Sequence, residues 1–226
     1  HVSAVQKDPK TYEHINPEEV GNSRNIVVSD QSGQSNIMSR LNSIGIDIKK
    51  NDPKIKKLLD EVKDREFIGY SYDGADASFE LLARRLMGDI PRYISVNEYD
   101  VSVKKDNSGE IVSFAKAQLE VDGKKILCEG KGNGPVNALD NAIRQNVNKL
   151  AKYSKYLKDL KLVDYKVRIL NTGTEAVTRV SIESTDSNGK NWFTIGVSPN
   201  IIEASFKALV DSLDYKLYKD NAPAST

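Results

Sequence analysis

Apolar residues recur at two different periods along this chain, and the change between them divides it. Ile37, Met38 and Leu41 lie on one face of a helix that starts near Ser32 and stops at Gly45. Asp52-Pro53 joins a capping carboxylate to a first-turn proline. Behind it, Ile55, Leu58, Leu59 and Val62 follow the i, i+3, i+4, i+7 spacing of a second amphipathic helix. A turn over residues 70–74 leads to a third helix from Asp76, with Phe79, Leu82, Ala83 and Leu86 facing inward and Gly88 ending it. From residue 96 the period shortens to two. Strands are predicted over 96–104, 111–121 and 124–130, then over 164–170, 176–184 and 192–197, with Asp122-Gly123 as a hairpin turn. Each set of three ends in a helix. Gly134-Pro135 opens the first, with Val136, Leu139, Ile143 and Val147 on one face; Ser198-Pro199 opens the second, with Ile202, Phe206, Leu209 and Leu213.

The two sets are copies of one another. Moving the first forward by a single ungapped offset puts Tyr99 on Tyr165, Val101 on Val167, Gly123 on Gly189 and Lys124 on Lys190. The same offset puts Gly130 on Gly196, Ala138 on Ala204 and Ala142 on Ala208. Two copies predict a pseudo-symmetric pair closing on itself, since solenoids need about three or more units.

The fold class is therefore α+β: a small helical subdomain followed by two pseudo-symmetric βββα units. The expected division is a linker over 1–31, helices over 32–92, the paired units over 93–220 (about 93–150 and 161–215) and a disordered tail over 221–226. The Lys-rich stretch 149–161 reads as a solvated connector between the copies.

Composition narrows the chemistry. With 33 basic and 32 acidic residues the formal charge is +1, which argues against a nucleic-acid partner. The single cysteine, Cys128, excludes an internal disulfide, fits a reducing cytosol, and sits mid-strand as a small buried apolar residue. No apolar run approaches the ~20 residues of a membrane helix. The chain opens on His1 rather than Met and reads as a fragment of something longer. There is no P-loop, dinucleotide fingerprint, nucleophile elbow or Cys/His cluster. Lys131-Gly132-Asn133-Gly134-Pro135 is a strand-to-helix turn, because no Lys-Ser/Thr follows its glycines.

Those turns carry the candidate site. A helix N-terminus presents unpaired N–H groups and partial positive charge, which suit a carboxylate. Around the two helix starts lie Ile126, Cys128, Val136, Trp192, Ile201 and Ile202. A carboxylate seat beside apolar side chains describes a site for a small branched amino acid; the plainer reading of the same residues is sheet–helix core. The effector-binding candidates are Ile126, Gly130, Gly134, Pro135, Val136, Pro199, Asn200 and Ile201.

The segment from Gly69 to Leu82 (Gly-Tyr-Ser-Tyr-Asp-Gly-Ala-Asp-Ala-Ser-Phe-Glu-Leu-Leu) resembles the GYxFEGAEASFELL segment of citramalate synthases, relatives of 2-isopropylmalate synthase. His1 to Val5 resembles the segment after their catalytic barrel, and Ser32 to Ile37 their SGKSN element, with Gln34 for the usual Lys. Residues 164–170 and 196–205 resemble the two ends of their second regulatory unit. The resemblance implies an acyltransferase that condenses acetyl-CoA with pyruvate on a metal-bearing barrel. It also implies a homodimeric regulatory domain that binds the pathway's end product, isoleucine or leucine. The barrel, its divalent metal and its catalytic base are outside this sequence, so the fragment is expected to be inactive and to hold no cofactor. His1 matches a catalytic histidine that acts only with that barrel, while Ser39 stands where isopropylmalate synthases have an implicated tyrosine. The alternatives are the same region of a leucine-sensing isopropylmalate synthase, or a purely structural dimerisation module.

Overall fold

The computed structural model describes residues 33–49, 51–105, 107–170 and 176–225. It divides into two compact units, His1–Gly74 and Ala75–Thr226. His1 and the segment expected to be a linker lie outside the described residues.

The first unit contains α1 (Gln34–Ser43) and α2 (Pro53–Phe67). Ile37 and Leu41 of α1 and Ile55, Leu58 and Val62 of α2 are buried, as the helical spacing requires. The Asp52 carboxylate accepts the Lys54 N–H at 2.9 Å and so caps α2. Arg40 is buried at the end of α1, where its guanidinium donates to the Tyr72 carbonyl at 2.8 Å.

The second unit starts with α3 (Asp76–Met87), then β1 (Ser95–Lys105), β2 (Ile111–Val121), β3 (Lys124–Gly132) and α4 (Pro135–Arg144). A 3-10 turn (Val147–Lys149) and the short α5 (Ser154–Leu157) lead to β4 (Lys161–Ile169), β5 (Thr178–Thr185), β6 (Asn191–Ser198) and α6 (Ile201–Lys219). The strands form two antiparallel three-stranded sheets, β1-β2-β3 and β4-β5-β6. Their registers repeat down to a bulge, between Val96 and Glu98 in one sheet and between Leu162 and Asp164 in the other. Gly123 and Gly189 take the same positive φ, 69° and 70°, in the matching turns.

Each helix lies over the last two strands of its own repeat, α4 on β3 and β2, α6 on β6 and β5. One face of α6 (Ala204, Ala208, Leu209) packs on Val180 and Ile182 of β5. Its other face (Phe206, Leu213, Leu217) joins Leu139 and Ile143 of α4 and Ala115, Ala117 and Leu119 of β2 in one buried cluster. Across the repeats, the Tyr99 ring of β1 meets Phe206 with 4.5 Å between centroids.

The residues shared by both copies explain how helix and strand meet. A Cβ added at Gly130 would lie 2.5 Å from the Ala138 carbonyl oxygen and 2.6 Å from the Ala142 Cα. At Gly196 the added atom would collide with the Ala204 carbonyl oxygen and lie 3.0 Å from the Ala208 nitrogen. Glycine on the strand and alanines on the helix let the backbones touch, and the offset that reveals the repeat preserves this triad.

Five expectations change. The second long helix begins at Ile201 rather than Pro199, because Asn200, not Ser198, is its cap. The stretch 149–161 is no plain connector: Leu150, Tyr153, Leu157 and Leu160 are buried beneath its lysines. Residues 221–225 are held rather than disordered. Tyr153 donates to the Pro223 carbonyl at 3.0 Å, and the Ser225 amide donates to the Arg92 carbonyl at 2.8 Å. The helix α3 groups with the sheets rather than with α1 and α2. Finally, the first long helix stops at Arg144, and the Val147 side chain lies outside the described residues.

Polar groups fix α3 in place. The Ser78 hydroxyl accepts the Ile195 N–H of β6 at 2.9 Å. The buried Glu80 carboxylate takes Arg84 at 2.8 Å, Tyr215 at 3.2 Å and Lys219 at 2.9 Å. Arg85 forks between Asp211 at 2.8 Å and Asp214 at 2.9 Å on α6. The second Asp214 oxygen, Oδ1, is buried without a partner. Burial pushes the Asp214 carboxyl up to about 7, with Arg85 opposing and Asp211 reinforcing the rise.

Two outcomes follow. In urea unfolding, Gly130→Ala and Gly196→Ala should each cost about 3 kcal/mol or abolish folding, the upper end for overpacked sites. Gly134→Ala, with nothing within 4 Å of the added atom, should change stability by less than about 1 kcal/mol. Because the folded Asp214 binds its proton more tightly than an unfolded carboxyl does, its contribution is complete at low pH. It declines as pH rises towards about 7. Thermal melts of Asp214→Asn should lose that decline between about pH 4 and 7 while the parent keeps it.

Candidate functional site

Where β3 gives way to α4, the chain leaves the sheet through Lys131–Gly134 and enters the helix at Pro135. Gly134 is the N-cap in an extended conformation (φ −158°, ψ 167°), and it brings no side chain to the helix end. Pro135 has no N–H, so the first donors are the amides of Val136 and Asn137. Neither meets an acceptor among the described residues. No acidic side chain occupies the first turn of α4. Pro135 and Val136 are half-buried beside these donors. The turn is held open by asparagines that recur every fourth residue. Asn137 Oδ1 accepts the Asn133 N–H at 3.2 Å, and Asn141 donates to the Lys131 carbonyl at 2.9 Å. The result is a fixed helix N-terminus with positive potential, free donors and an apolar shoulder.

The equivalent junction of the second repeat is built differently. Asn200 Oδ1 accepts from the Ile202 amide at 2.8 Å and the Glu203 amide at 3.3 Å, so α6 satisfies its own first turn. Ser198 donates to Glu203 at 2.6 Å and accepts the Asn200 N–H at 3.1 Å. Hydrogen bonds from Lys207 and Ser198 hold the Glu203 carboxyl below its ordinary value. An ionised carboxylate and a capped terminus do not receive a second carboxylate. Two halves alike in backbone thus differ in chemistry: the α6 start is capped by Asn200, whereas the α4 start has no side-chain cap.

The expected residues separate accordingly. Gly134, Pro135 and Val136 come together at the α4 start. Pro199, Asn200 and Ile201 come together at the α6 start, all exposed, with Ile201 at 42%. Gly130 is explained by its contact with Ala138 and Ala142. Ile126 lies six residues back along β3 from Gly132, roughly 20 Å at the rise of a strand, and packs on the core cluster. Cys128 is fully buried in that cluster, where burial raises its thiol pKa. Trp192 is also in the core, its indole N–H donating to Ser212 at 3.1 Å. Sequence reasoning missed Asn133, Asn137 and Asn141, although their four-residue spacing was there to read. His1 lies outside the described residues.

Comparison with known proteins places the chain. The family model for the LeuA allosteric (dimerisation) domain matches residues 73–217, and a homocitrate synthase post-HMGL domain-like model matches residues 1–67. The gap between the matches, residues 68–72, lies a few residues before the point where the two compact units part, after Gly74. The chain is 48% identical over 223 residues to the (R)-citramalate synthase of Aquifex aeolicus, covering 97% of this chain and 42% of that protein. To the (R)-citramalate synthase of Geobacter sulfurreducens it is 45% identical over 222 residues, covering 97% and 41%. To that of Synechocystis it is 44% identical over 224 residues, covering 96% and 40%. The chain spans about two fifths of the length of the curated relatives it matches.

Proposed function

This chain belongs to the LeuA allosteric (dimerisation) domain family, and we propose from that premise that it is the amino-acid-sensing part of a citramalate-forming acyltransferase. The whole protein would condense acetyl-CoA with pyruvate in the cytoplasm, on a barrel that carries a divalent metal and the catalytic groups. This part would have no activity alone. It would bind isoleucine, the branched-chain end product, and pass on feedback inhibition.

The observation that supports the reading is the uncapped start of α4. The effector carboxylate accepts the Val136 and Asn137 amides, and its branched side chain lies against Pro135 and Val136. The open space above Gly134 admits it. The homodimer is assigned to the helix-facing sides of β1 and β4, the outer strands their own helices cover least. Val103, Val167 and Ile169 stand 56%, 41% and 67% exposed there. Two equivalent apolar strips suit a two-fold contact with a second copy.

Calorimetric titration of the chain with isoleucine, leucine and valine tests the proposal. Saturable binding that favours isoleucine is expected. Val136→Asp, whose carboxylate would compete for the same amides while suiting the helix terminus, should weaken it at least 100-fold without lowering the melting temperature. Unchanged affinity in that variant would overturn the seat. Preference for leucine would move the assignment to isopropylmalate synthesis, and no binding of any of the three would leave a structural dimerisation module.

A further inference from the structure

The polar contacts between α3 and α6 have a purpose that packing alone does not supply. The helix α3 follows directly on Gly74, where the first compact unit ends, so it is the covalent route out of the paired sheets. Beside the Ser78–Asp211 hydrogen bond at 3.4 Å and Arg84 over the Tyr218 ring, two unequal charged attachments hold it to α6. At one, Glu80 has a side chain only 3% exposed and takes charged or hydroxyl donors from Arg84, Tyr215 and Lys219. Breaking a satisfied buried hub of this kind is costly. At the other, Arg85 is 42% exposed, and its pairs with Asp211 and Asp214 can be exchanged for water.

Asp214 tips the second attachment further. In the closed clamp Oδ1 is buried with no hydrogen-bond partner. Tyr93 and Tyr153 both lie close enough to feel its charge, as does Asp211 beside it on the same helix. Opening the clamp gives up two water-exchangeable Arg85 pairs but hydrates a carboxylate oxygen that the closed state leaves unsatisfied. Gain and loss oppose each other, so small forces decide between the two arrangements. The helix α3 is thus held by a buried hub at Glu80 and by a more exposed pair of contacts at Arg85.

A contact route leads from the candidate seat to this clamp. The seat is the first turn of α4. Leu139 and Ile143 of α4 share a buried cluster with Phe206, Leu213 and Leu217 of α6. Asp211 and Asp214 project from the same stretch of α6. A displacement of α4 on ligand binding therefore meets α6 at the turns that carry the clamp.

We propose that the Arg85–Asp211–Asp214 clamp reads the occupancy of the α4 seat, so that effector binding shifts α3 between a closed and an open attachment. The inference rests on the amino-acid-sensing reading above. It names Arg85 as a coupling residue that touches no ligand.

Linkage supplies the test without any need for catalysis: if seat and clamp are coupled, breaking the clamp must change effector affinity. Isoleucine Kd is measured by calorimetry on the 226-residue chain and on Arg85→Gln, with hydrogen exchange of α3 followed as isoleucine is added. A Kd shift of about fivefold or more in Arg85→Gln is expected. Exchange at the C-terminal turn of α3 should change on ligand addition, while exchange near Glu80 should not. Arg85→Lys, which keeps the charge but not the fork, should recover part of the parent Kd. Identical Kd in parent and Arg85→Gln, with α3 exchange indifferent to isoleucine, would overturn the clamp while leaving the sensing reading intact. Absence of binding in the parent would overturn both. If Arg85→Gln does not fold, Asp214→Asn, which keeps the Asp211 anchor, takes its place under the same criteria.

Discussion

The contact on which the rest of this molecule depends is the close approach of helix backbone to strand backbone at Gly130 and Gly196. Neither glycine is in the left-handed region, and neither makes a turn. Each is there because any side chain would collide with the alanine backbone above it. That closeness sets the depth at which α4 and α6 sit. The long side chains of α6 on its other face, Phe206, Leu213 and Leu217, then fill the space towards α4 and β2. At the α4 end, the same depth brings the first turn down onto Gly132, where Asn133, Asn137 and Asn141 stitch loop and helix together. The α4 start is held by the packing rule that holds the fold.

Duplication explains the architecture, and divergence at one position makes the two helix starts chemically unlike. Both repeats keep the glycine, the alanines, the hairpin turn and the bulge. They differ in the residue that caps the helix. Gly134 leaves two amides of α4 available, whereas Asn200 uses the equivalent amides of α6, and Glu203 adds negative charge beside them. A pseudo-symmetric scaffold thereby has one uncapped helix start where its symmetry would give two. The strands least covered by their own helices, β1 and β4, stay symmetric.

Much of this was legible in the sequence, because the repeat, the strand alternation and the Pro135 and Pro53 helix starts are local signals. What was not legible depends on geometry that spacing does not encode. Ser198-Pro199 looked like the start of α6, yet Asn200 caps it, since the serine hydroxyl is engaged by Glu203 and by the Asn200 amide. The lysines of 149–161 hid the buried row Leu150, Tyr153, Leu157 and Leu160, which itself has helical spacing. Ile126 was grouped with Val136 as an apolar neighbour, but β3 runs away from the helix start and separates them. The clamp of α3 pairs residues more than a hundred positions apart, beyond the reach of any local pattern.

The central claim, that the α4 terminus is the effector seat, is tested most directly by following backbone amide resonances of the chain as isoleucine is added. Val136 and Asn137 should shift most, with smaller changes spreading into α6 and α3. Shifts centred instead on Ile202 and Glu203, or spread evenly with no maximum at α4, would contradict it.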